Sequence, residues 1–230
     1  MSINTVTTID NSVPVRHVLI SVSDKSDLEF FVLTLINIIP DVKILSTGGT
    51  YERIRGILGV LGEKAEKHLI AVSDYTGQPE TQGGLVKTLD FKIYLGLLTE
   101  TYNEAHQEDL KRTGAVPIDI VICNLYPFQE TVSRPDVTVE QARGNIDIGG
   151  PCMIRAAAKN FIRVTPVVDP RDYSLILDEL DRLNGNTQLE TRAMLAKKAF
   201  AHTAEYDRAI TEYLGSCSIE AIINTYPDLK

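Results

Sequence analysis

Cysteine and histidine are scarce in this 230-residue sequence, and neither has the spacing of a metal site. The three cysteines, Cys123, Cys152 and Cys217, form no C-x-x-C pair, and the four histidines are scattered along the chain. An odd number of separated cysteines argues against a disulfide framework and is typical of the reducing cytosol. We therefore expect a cytoplasmic protein that holds no metal ion.

Long apolar runs and an excess of positive charge are also missing. No apolar run approaches the roughly 18 residues of a membrane-spanning helix, and the polar start lacks the order of a signal peptide. Lysine and arginine total 23 against 31 acidic residues, so the net charge is −8. That charge repels DNA and RNA, although a local cluster of lysines and backbone N–H groups can still bind a small anion. We expect neither a membrane nor a nucleic acid as partner.

Short apolar runs alternate with helical segments through most of the sequence. Strands are predicted over 17–22, 42–45, 69–72, 118–125 and 164–168. Helices are predicted after a capping box at Ser26 and Glu29, over 51–58 and over 151–159, with an ordered loop over 73–87. This alternation predicts an α/β fold with three layers, a mainly parallel sheet flanked by helices.

The ends of the chain differ from this pattern. From about residue 171 only helical periodicity remains, over 173–183 and 190–213, which predicts a helical C-terminal extension packed on the sheet or capping it. Residues 1–15 are polar, and we expect a flexible lead-in there. The sequence shows no repeat and no linker, so residues 16–230 are predicted to form a single domain.

Two turns at the carboxyl ends of the first two strands suit a phosphate. They are residues 21–25 (S-V-S-D-K) and 46–50 (S-T-G-G-T). Ligands of parallel sheets bind at this edge, and the free N–H groups of each following helix favour an anion. A G-G-T turn is more often only a tight connection. Neither turn has the P-loop or G-x-G-x-x-G pattern, so ATP and dinucleotide cofactors are not supported.

Four later residues stand out for chemistry: Lys87, Tyr126, Asp147 and Lys159. Each also has a structural explanation, and structural roles are the commoner ones. A lysine that ends a helix complements its dipole, an aspartate before Gly-Gly caps a helix, and a tyrosine that ends a strand packs with its hydroxyl in water. From the residues alone, both explanations remain open.

Several segments occur together in a fixed order. Besides the two turns they are V-K-T-L (86–89), C-N-L-Y-P-F (123–128), N-I-D-I-G-G (145–150), R-A-A-A-K-N (155–160) and K-A-F-A-H-T-A (198–204), with Tyr206-Asp207 after it. From about residue 17 to residue 213 the chain resembles the amino-terminal, IMP cyclohydrolase domain of the bifunctional AICAR transformylase/IMP cyclohydrolase family, without the transformylase domain.

The resemblance implies a methylglyoxal-synthase-like fold and one reaction. The substrate would be 5-formamidoimidazole-4-carboxamide ribotide (FAICAR), whose dehydrative ring closure gives IMP at the end of purine synthesis. No cofactor is implied. A homodimer and a transformylase on a separate chain are the implied partners.

The resemblance also implies the site. Lys87, Tyr126, Asp147 and Lys159 would be the catalytic group, with Asp147 held by Lys159 to deprotonate the carboxamide and the other two donating to the formyl oxygen, although these roles are exchangeable. The phosphate would be held mainly by Ser21, Ser23, Lys25, Thr47, Gly49 and Thr50, beside Val22, Gly48 and Thr88. The base would be bordered by Cys123, Asn124, Ile148 and Gly149.

The sequence departs from the family at one loop. Leu85 stands where the family has arginine, Asp90-Phe91 replaces His-Pro, and Tyr94-Leu95 replaces His-Gly. Losing an arginine removes a strong anion-binding group. The alternatives are a non-catalytic phosphoribosyl-nucleotide domain, as the same fold provides in carbamoyl phosphate synthetase, a methylglyoxal synthase, and a subunit that only contributes an interface.

Overall fold

A parallel sheet of five strands forms the centre of the computed structural model, which describes residues 5–62, 65, 67–79, 87–226 and 228. The strand order is β4-β3-β2-β5-β6, and every neighbouring pair is parallel. The strands are β1 (Ser12–Pro14), β2 (His17–Val22), β3 (Lys43–Ser46), β4 (Leu69–Ala71), β5 (Ile120–Asn124), β6 (Thr165–Val167) and β7 (Asn186–Gln188).

Helices cover both faces of this sheet. They are α1 (Leu28–Ile38), α2 (Gly48–Gly59), α3 (Val72–Thr76), α4 (Phe91–Leu98), α5 (Glu104–Thr113), α6 (Phe128–Val132), α7 (Val139–Gly144), α8 (Gly149–Lys159), α9 (Tyr173–Arg182), α10 (Leu189–Ser216) and α11 (Ile219–Thr225), with a 3-10 turn at Pro170–Asp172. None of the helices in the described part of the chain is long and apolar enough to span a membrane.

The predicted three-layer α/β fold is confirmed. Alternate residues of β2 enter different cores, because side chains of a strand point to opposite faces. Val18 and Ile20 lie in a core with α1, α2 and α9, whereas Leu19 lies in a second core with α4 and α8. All three side chains are fully buried, which explains why the central strands are continuous apolar runs.

The helical extension packs on the second face, as the sequence predicts. Helix α10 runs along α8 and β6. The contact is close because α8 carries the buried small residues Ala157 and Ala158, and α10 places Ala199 against them in the same core. Residues of the extension therefore reach the loops at both ends of α8.

Residues 12–15, part of the lead-in that was predicted to be flexible, are held against the rest of the fold. Strand β1 pairs antiparallel with β7, and both Val13 and Val15 are buried. Arg192 of α10 fastens this seam: its fully buried guanidinium donates to the carbonyls of Asp10 and Thr187, at 2.7 and 2.6 Å. The three-residue strands carry no apolar alternation of their own, so hydrophobic periodicity does not predict them.

Two predicted helix starts are wrong. At α1 the N-cap is Asp27, with a left-handed φ of 55° and no side-chain cap, while Ser26 bonds to Asp24 instead of forming a capping box. Helix α2 begins at Gly48, inside the predicted turn. Helix α3 begins at Val72, the last residue of the predicted third strand, and occupies the start of the predicted loop 73–87. Residues 80–86 of that loop, with Leu85, lie outside the described residues.

A buried ion pair closes the amino end of the sheet. Arg163 donates to Asp119 at 3.0 Å, and both side chains are less than a tenth exposed. Asp119 also accepts the backbone N–H groups of Arg16 and His17, at 2.8 and 2.9 Å, while Arg163 donates to the Thr99 carbonyl at 3.1 Å. These bonds join three strand starts into one satisfied network.

Candidate active site

A cavity of about 550 Å³ opens at the carboxyl end of the sheet. It lies where β2, β3 and β5 end, which is where parallel sheets bind ligands. Residues predicted from the sequence make up most of its wall: Ser21, Val22, Ser23, Lys25, Thr47, Gly48, Gly49, Thr50, Lys87, Thr88, Asn124, Tyr126, Asp147, Ile148 and Gly149. The sequence reasoning missed Leu89, Gly144, Asn145, Ile146, Gly150 and Met153, which also line it.

The start of α2 provides an anion-binding corner. Gly48 has a left-handed φ of +55°, and a Cβ placed there would lie 2.9 Å from Lys87 Nζ. The left-handed backbone therefore favours glycine, and the absence of a Cβ lets the Lys87 ammonium group come close. The free N–H groups of the first turn and the Lys87 charge meet at one point, where a phosphate would be stabilised.

Two predicted ligand residues hold the neighbouring turn together. Thr50 Oγ1 accepts the Val22 N–H at 3.1 Å and donates to the Val22 carbonyl at 3.0 Å. Asn124 Oδ1 accepts the N–H groups of Ser23 and Asp24 at 2.7 and 2.8 Å, and its Nδ2 donates to the Asp24 carbonyl at 3.0 Å. Both side chains thus fix the shape of the cavity wall.

Lys25 folds back over its own turn. Its Nζ lies 3.2 Å from the Val22 carbonyl and 3.3 Å from the Ser23 carbonyl. An ammonium has three donors, so one remains for a ligand. The two turns therefore bring a second cation to the same cavity as Lys87.

Asp147 lies half-buried in the cavity wall at the start of α8. Its Oδ1 accepts the Gly150 N–H at 2.9 Å, so the structural prediction of a capping role is correct as well. Burial raises the pKa of Asp147, and the Gly150 hydrogen bond opposes this only in part. A carboxylate with a raised pKa is a better proton acceptor near neutral pH, which suits a general base.

Tyr206 is a residue near the site that sequence reasoning did not select. The Asp147 N–H donates to its hydroxyl oxygen at 2.8 Å, and the hydroxyl donates to the Asn145 carbonyl at 3.2 Å. The only signal was the position of Tyr206-Asp207 at the end of the last shared segment, to which no role was attached.

Tyr126 and Ile148 stand at the rim of the cavity. Their side chains are 52% and 60% exposed. A phenol and an apolar side chain at the mouth can contact a planar base and its polar edge. Tyr126 therefore lies on the same cavity as Asp147 and Lys87, as the resemblance implies.

Cys123 and Lys159 do not line this cavity. Cys123 is buried behind it, with Sγ 4.0 Å from the Gly150 carbonyl, and burial raises the pKa of its thiol. Lys159 is exposed in the last turn of α8, whereas Asp147 precedes the first turn. Because a helix rises 1.5 Å per residue, these two ends lie roughly 15 Å apart. The expected support of Asp147 by Lys159 is therefore wrong within one chain.

Comparisons with known proteins agree with the fold. The family profile described as MGS-like domain matches residues 28–152, and that described as AICARFT/IMPCHase bienzyme matches residues 157–228. The crystal structure of ForH superimposes with a TM-score of 0.75 and 32% identity, covering 87% of this chain and 97% of ForH.

Curated relatives carry the name bifunctional purine biosynthesis protein PurH. The protein of Thermoanaerobacter sp. (strain X514) is 48% identical over 199 residues, covering 86% of this chain and 37% of the relative. That of Streptococcus mutans serotype c is 47% identical over 219 residues, covering 94% and 40%. The chain thus spans about two-fifths of the length of these relatives.

Proposed function

The chain belongs to the MGS-like domain family, and from that premise we propose that it is an IMP cyclohydrolase, which closes FAICAR to IMP. Its curated relatives are bifunctional purine biosynthesis proteins, and a second profile of that family matches its C-terminal part. The observation that carries the proposal is the single cavity that joins Lys87, Tyr126 and Asp147 to the two phosphate-type turns.

The reaction needs a proton acceptor and a donor to oxygen. The carboxamide nitrogen attacks the formyl carbon and loses one proton as the C–N bond forms. The formamido nitrogen then loses its proton as the ring C=N bond forms, and the C–O bond breaks so that the formyl oxygen leaves as water with two protons. Asp147 accepts the proton from the carboxamide nitrogen, because its raised pKa and its place in the wall suit that step. Tyr126 donates a hydrogen bond to the formyl oxygen as charge develops on it.

Binding supplies the rest of the rate. The corner formed by Gly48, Lys87 and the first turn of α2 holds the phosphate, and the position of Lys87 Nζ beside Gly48 favours the phosphate over the formyl oxygen as its partner. With one end of the substrate fixed, the carboxamide and the formyl group are kept in contact. This orientation raises the rate of ring closure without another catalytic group. The proposal assigns no step to Lys159.

Purified protein mixed with FAICAR tests the proposal, with IMP formation followed by ultraviolet absorbance. We expect conversion well above the uncatalysed background. Binding of IMP without conversion would replace the enzyme by the alternative, a nucleotide-binding domain of the same fold. The absence of both would remove the nucleotide site altogether.

Lys159→Ala is the most informative variant, because the resemblance makes Lys159 catalytic whereas its place in the chain does not. Lys111, also exposed in the last turn of a helix, gives the matched control Lys111→Ala. Near-normal turnover of both variants would agree with a site formed by the cavity of a single chain, which Lys159 does not line. A large loss in Lys159→Ala alone would contradict it and would mean that Lys159 reaches the substrate in an assembly of copies.

A further inference from the structure

Tyr206 belongs to the helical extension, yet its hydroxyl bonds on both sides of Ile146. It accepts from the Asp147 N–H at 2.8 Å and donates to the Asn145 carbonyl at 3.2 Å. The two bonds hold residues 145 and 147 at fixed distances from one atom. We propose that Tyr206 is a positioning residue, which sets the backbone of segment 145–147 and thereby the direction of the Asp147 carboxylate.

The phenol is itself firmly held. Tyr206 is 8% exposed, and its ring packs edge-on against the buried Phe128, with ring centroids 6.1 Å apart. Both residues belong to the core that α10 shares with α8. A hydroxyl on a rigid, buried ring can fix a neighbouring loop, because little conformational freedom remains to be lost.

The other described hydrogen bonds of the segment are local. The Asn145 N–H bonds to the Ala142 carbonyl at 3.1 Å and the Ile146 N–H to the Arg143 carbonyl at 3.2 Å, both within or next to α7. Helix α7 is short and half-exposed, so these two bonds place the segment only relative to α7, and the Gly150 N–H to Asp147 Oδ1 bond places its end relative to the first turn of α8. Tyr206 ties the backbone of the segment to α10.

Tyr213 provides a matched control on the same helix. Its ring also packs edge-on against Phe128, with centroids 5.9 Å apart and planes at 85°. The hydrogen bonds found among the described residues include none from its hydroxyl to segment 145–147. Tyr213→Phe therefore reports the loss of a hydroxyl from a ring that packs on Phe128 but has no described bond to the segment, whereas Tyr206→Phe also removes the link to Asp147.

The inference rests on the proposed function for its kinetic test. In Tyr206→Phe the ring remains, but the Asp147 N–H loses its partner and the carboxylate moves. We expect kcat to fall about 10- to 100-fold, since an error of about 1 Å in a catalytic group costs on that order, with KM changed less than about threefold. Tyr213→Phe is expected to stay within about twofold of the original enzyme.

The pH profile separates positioning from a loss of stability. The groups that face Asp147 are Cys123 from β5, Tyr206 from α10, and Lys87 and Tyr126 across the cavity. Burial raises the pKa of both Cys123 and Tyr206, so neither titrates between about pH 4 and pH 8. A loosened segment admits water, so the acid limb of kcat/KM is expected to move to lower pH in Tyr206→Phe only.

A measurement on Asp147 itself does not depend on turnover. Carboxyl carbon NMR should show the Asp147 titration shifted downward in Tyr206→Phe and unchanged in Tyr213→Phe, and the Asp147 amide of the original protein should be protected from hydrogen exchange. Should the protein lack cyclohydrolase activity, the proposed function fails while this test still stands. An unshifted titration, or a rapidly exchanging amide, would overturn the positioning role, and the exchange measurement applies even if the variant does not fold.

Discussion

The two ends of the sheet use similar side chains in opposite ways. At the amino end, Asp119 faces Arg163 and accepts two backbone N–H groups, so its charge is fully paired. At the carboxyl end, Asp147 accepts the Gly150 N–H, and none of the described contacts gives it a cation. Burial raises the pKa of both carboxyls. Asp119 is the more deeply buried of the two, and it is also the one whose charge has a cation and two N–H groups as partners.

This contrast explains where stability and reactivity lie. A buried network whose polar groups are all hydrogen-bonded makes the structure rigid. A group that is only partly paired can still form bonds to a ligand. The amino end should accordingly tolerate no loss of a partner. Substitutions at the carboxyl end should change the free energy of unfolding little and should lower the catalytic rate.

Asp147→Asn is expected to have the largest effect. The amide keeps the shape and can still accept the Gly150 N–H, but it cannot take a proton, so kcat should fall roughly 10²- to 10⁴-fold. The free energy of unfolding should change by less than about 1 kcal/mol. Steady-state kinetics measure the change in kcat, and urea unfolding of the same preparation measures the change in the free energy of unfolding. Near-normal turnover would remove Asp147 from the mechanism.

Arg163→Met is expected to have the opposite effect, a large loss of stability rather than a direct loss of catalysis. It leaves the buried Asp119 without its cation, which costs about 3–5 kcal/mol of folding free energy. The control is Arg53→Met, since Arg53 and its partner Glu29 are more than half exposed and such a pair contributes less than about 1 kcal/mol. Equal losses in the two variants, measured by urea unfolding, would show that the amino end is not a special network.

Gly48→Ala should have a moderate effect on both ligand affinity and stability. A left-handed backbone costs a residue with a Cβ about 1–2 kcal/mol, and Lys87 Nζ must move from its present place. Calorimetric affinity for IMP should fall along with the melting temperature. Gly56, in the same helix with open space around its Cα, is the control, because alanine there should stabilise by about 0.5–1 kcal/mol.

The smallest effect concerns pH. Because the pKa of Asp147 is raised by folding, the native state binds its proton more tightly, and the stability from this group is lost as pH rises through the folded pKa. The stability of the original protein relative to Asp147→Asn should therefore decrease from about pH 4 upward. For Asp169, whose pKa is lowered mainly by Arg171, the corresponding comparison with Asp169→Asn should have the opposite slope. Chemical unfolding at several pH values measures both slopes.

The sequence was sufficient for the central sheet. Runs such as 17–22 and 118–125 are apolar throughout because both faces of their strands are covered, and the structure keeps the first without change. The turn chemistry at Gly48 likewise located the ligand edge, although α2 begins one turn earlier than expected. Features that depend on neighbouring residues can therefore be predicted from the sequence.

What the sequence could not give depends on contacts between distant residues. The link from Tyr206 to Asp147 joins positions 59 residues apart, and nothing local marks it. Lys159 was assigned through a shared segment, and only the length of α8 shows that it lies at the other end. The β1–β7 seam is not predictable for the same reason, since its strands are three residues each and the paired residues Pro14 and Asn186 are 172 positions apart.

Arg192 has a consequence for the order in which the molecule is built. Its guanidinium joins the backbone at Asp10 to that at Thr187, and burial lowers its pKa to about 10 while leaving it charged at neutral pH. A ribosome finishes the last strand of the sheet, at Val167, well before it reaches this arginine. The strands that end at the ligand edge are thus synthesised before the seam that closes the two ends of the fold, whereas Tyr206, which bonds to segment 145–147, is synthesised after it.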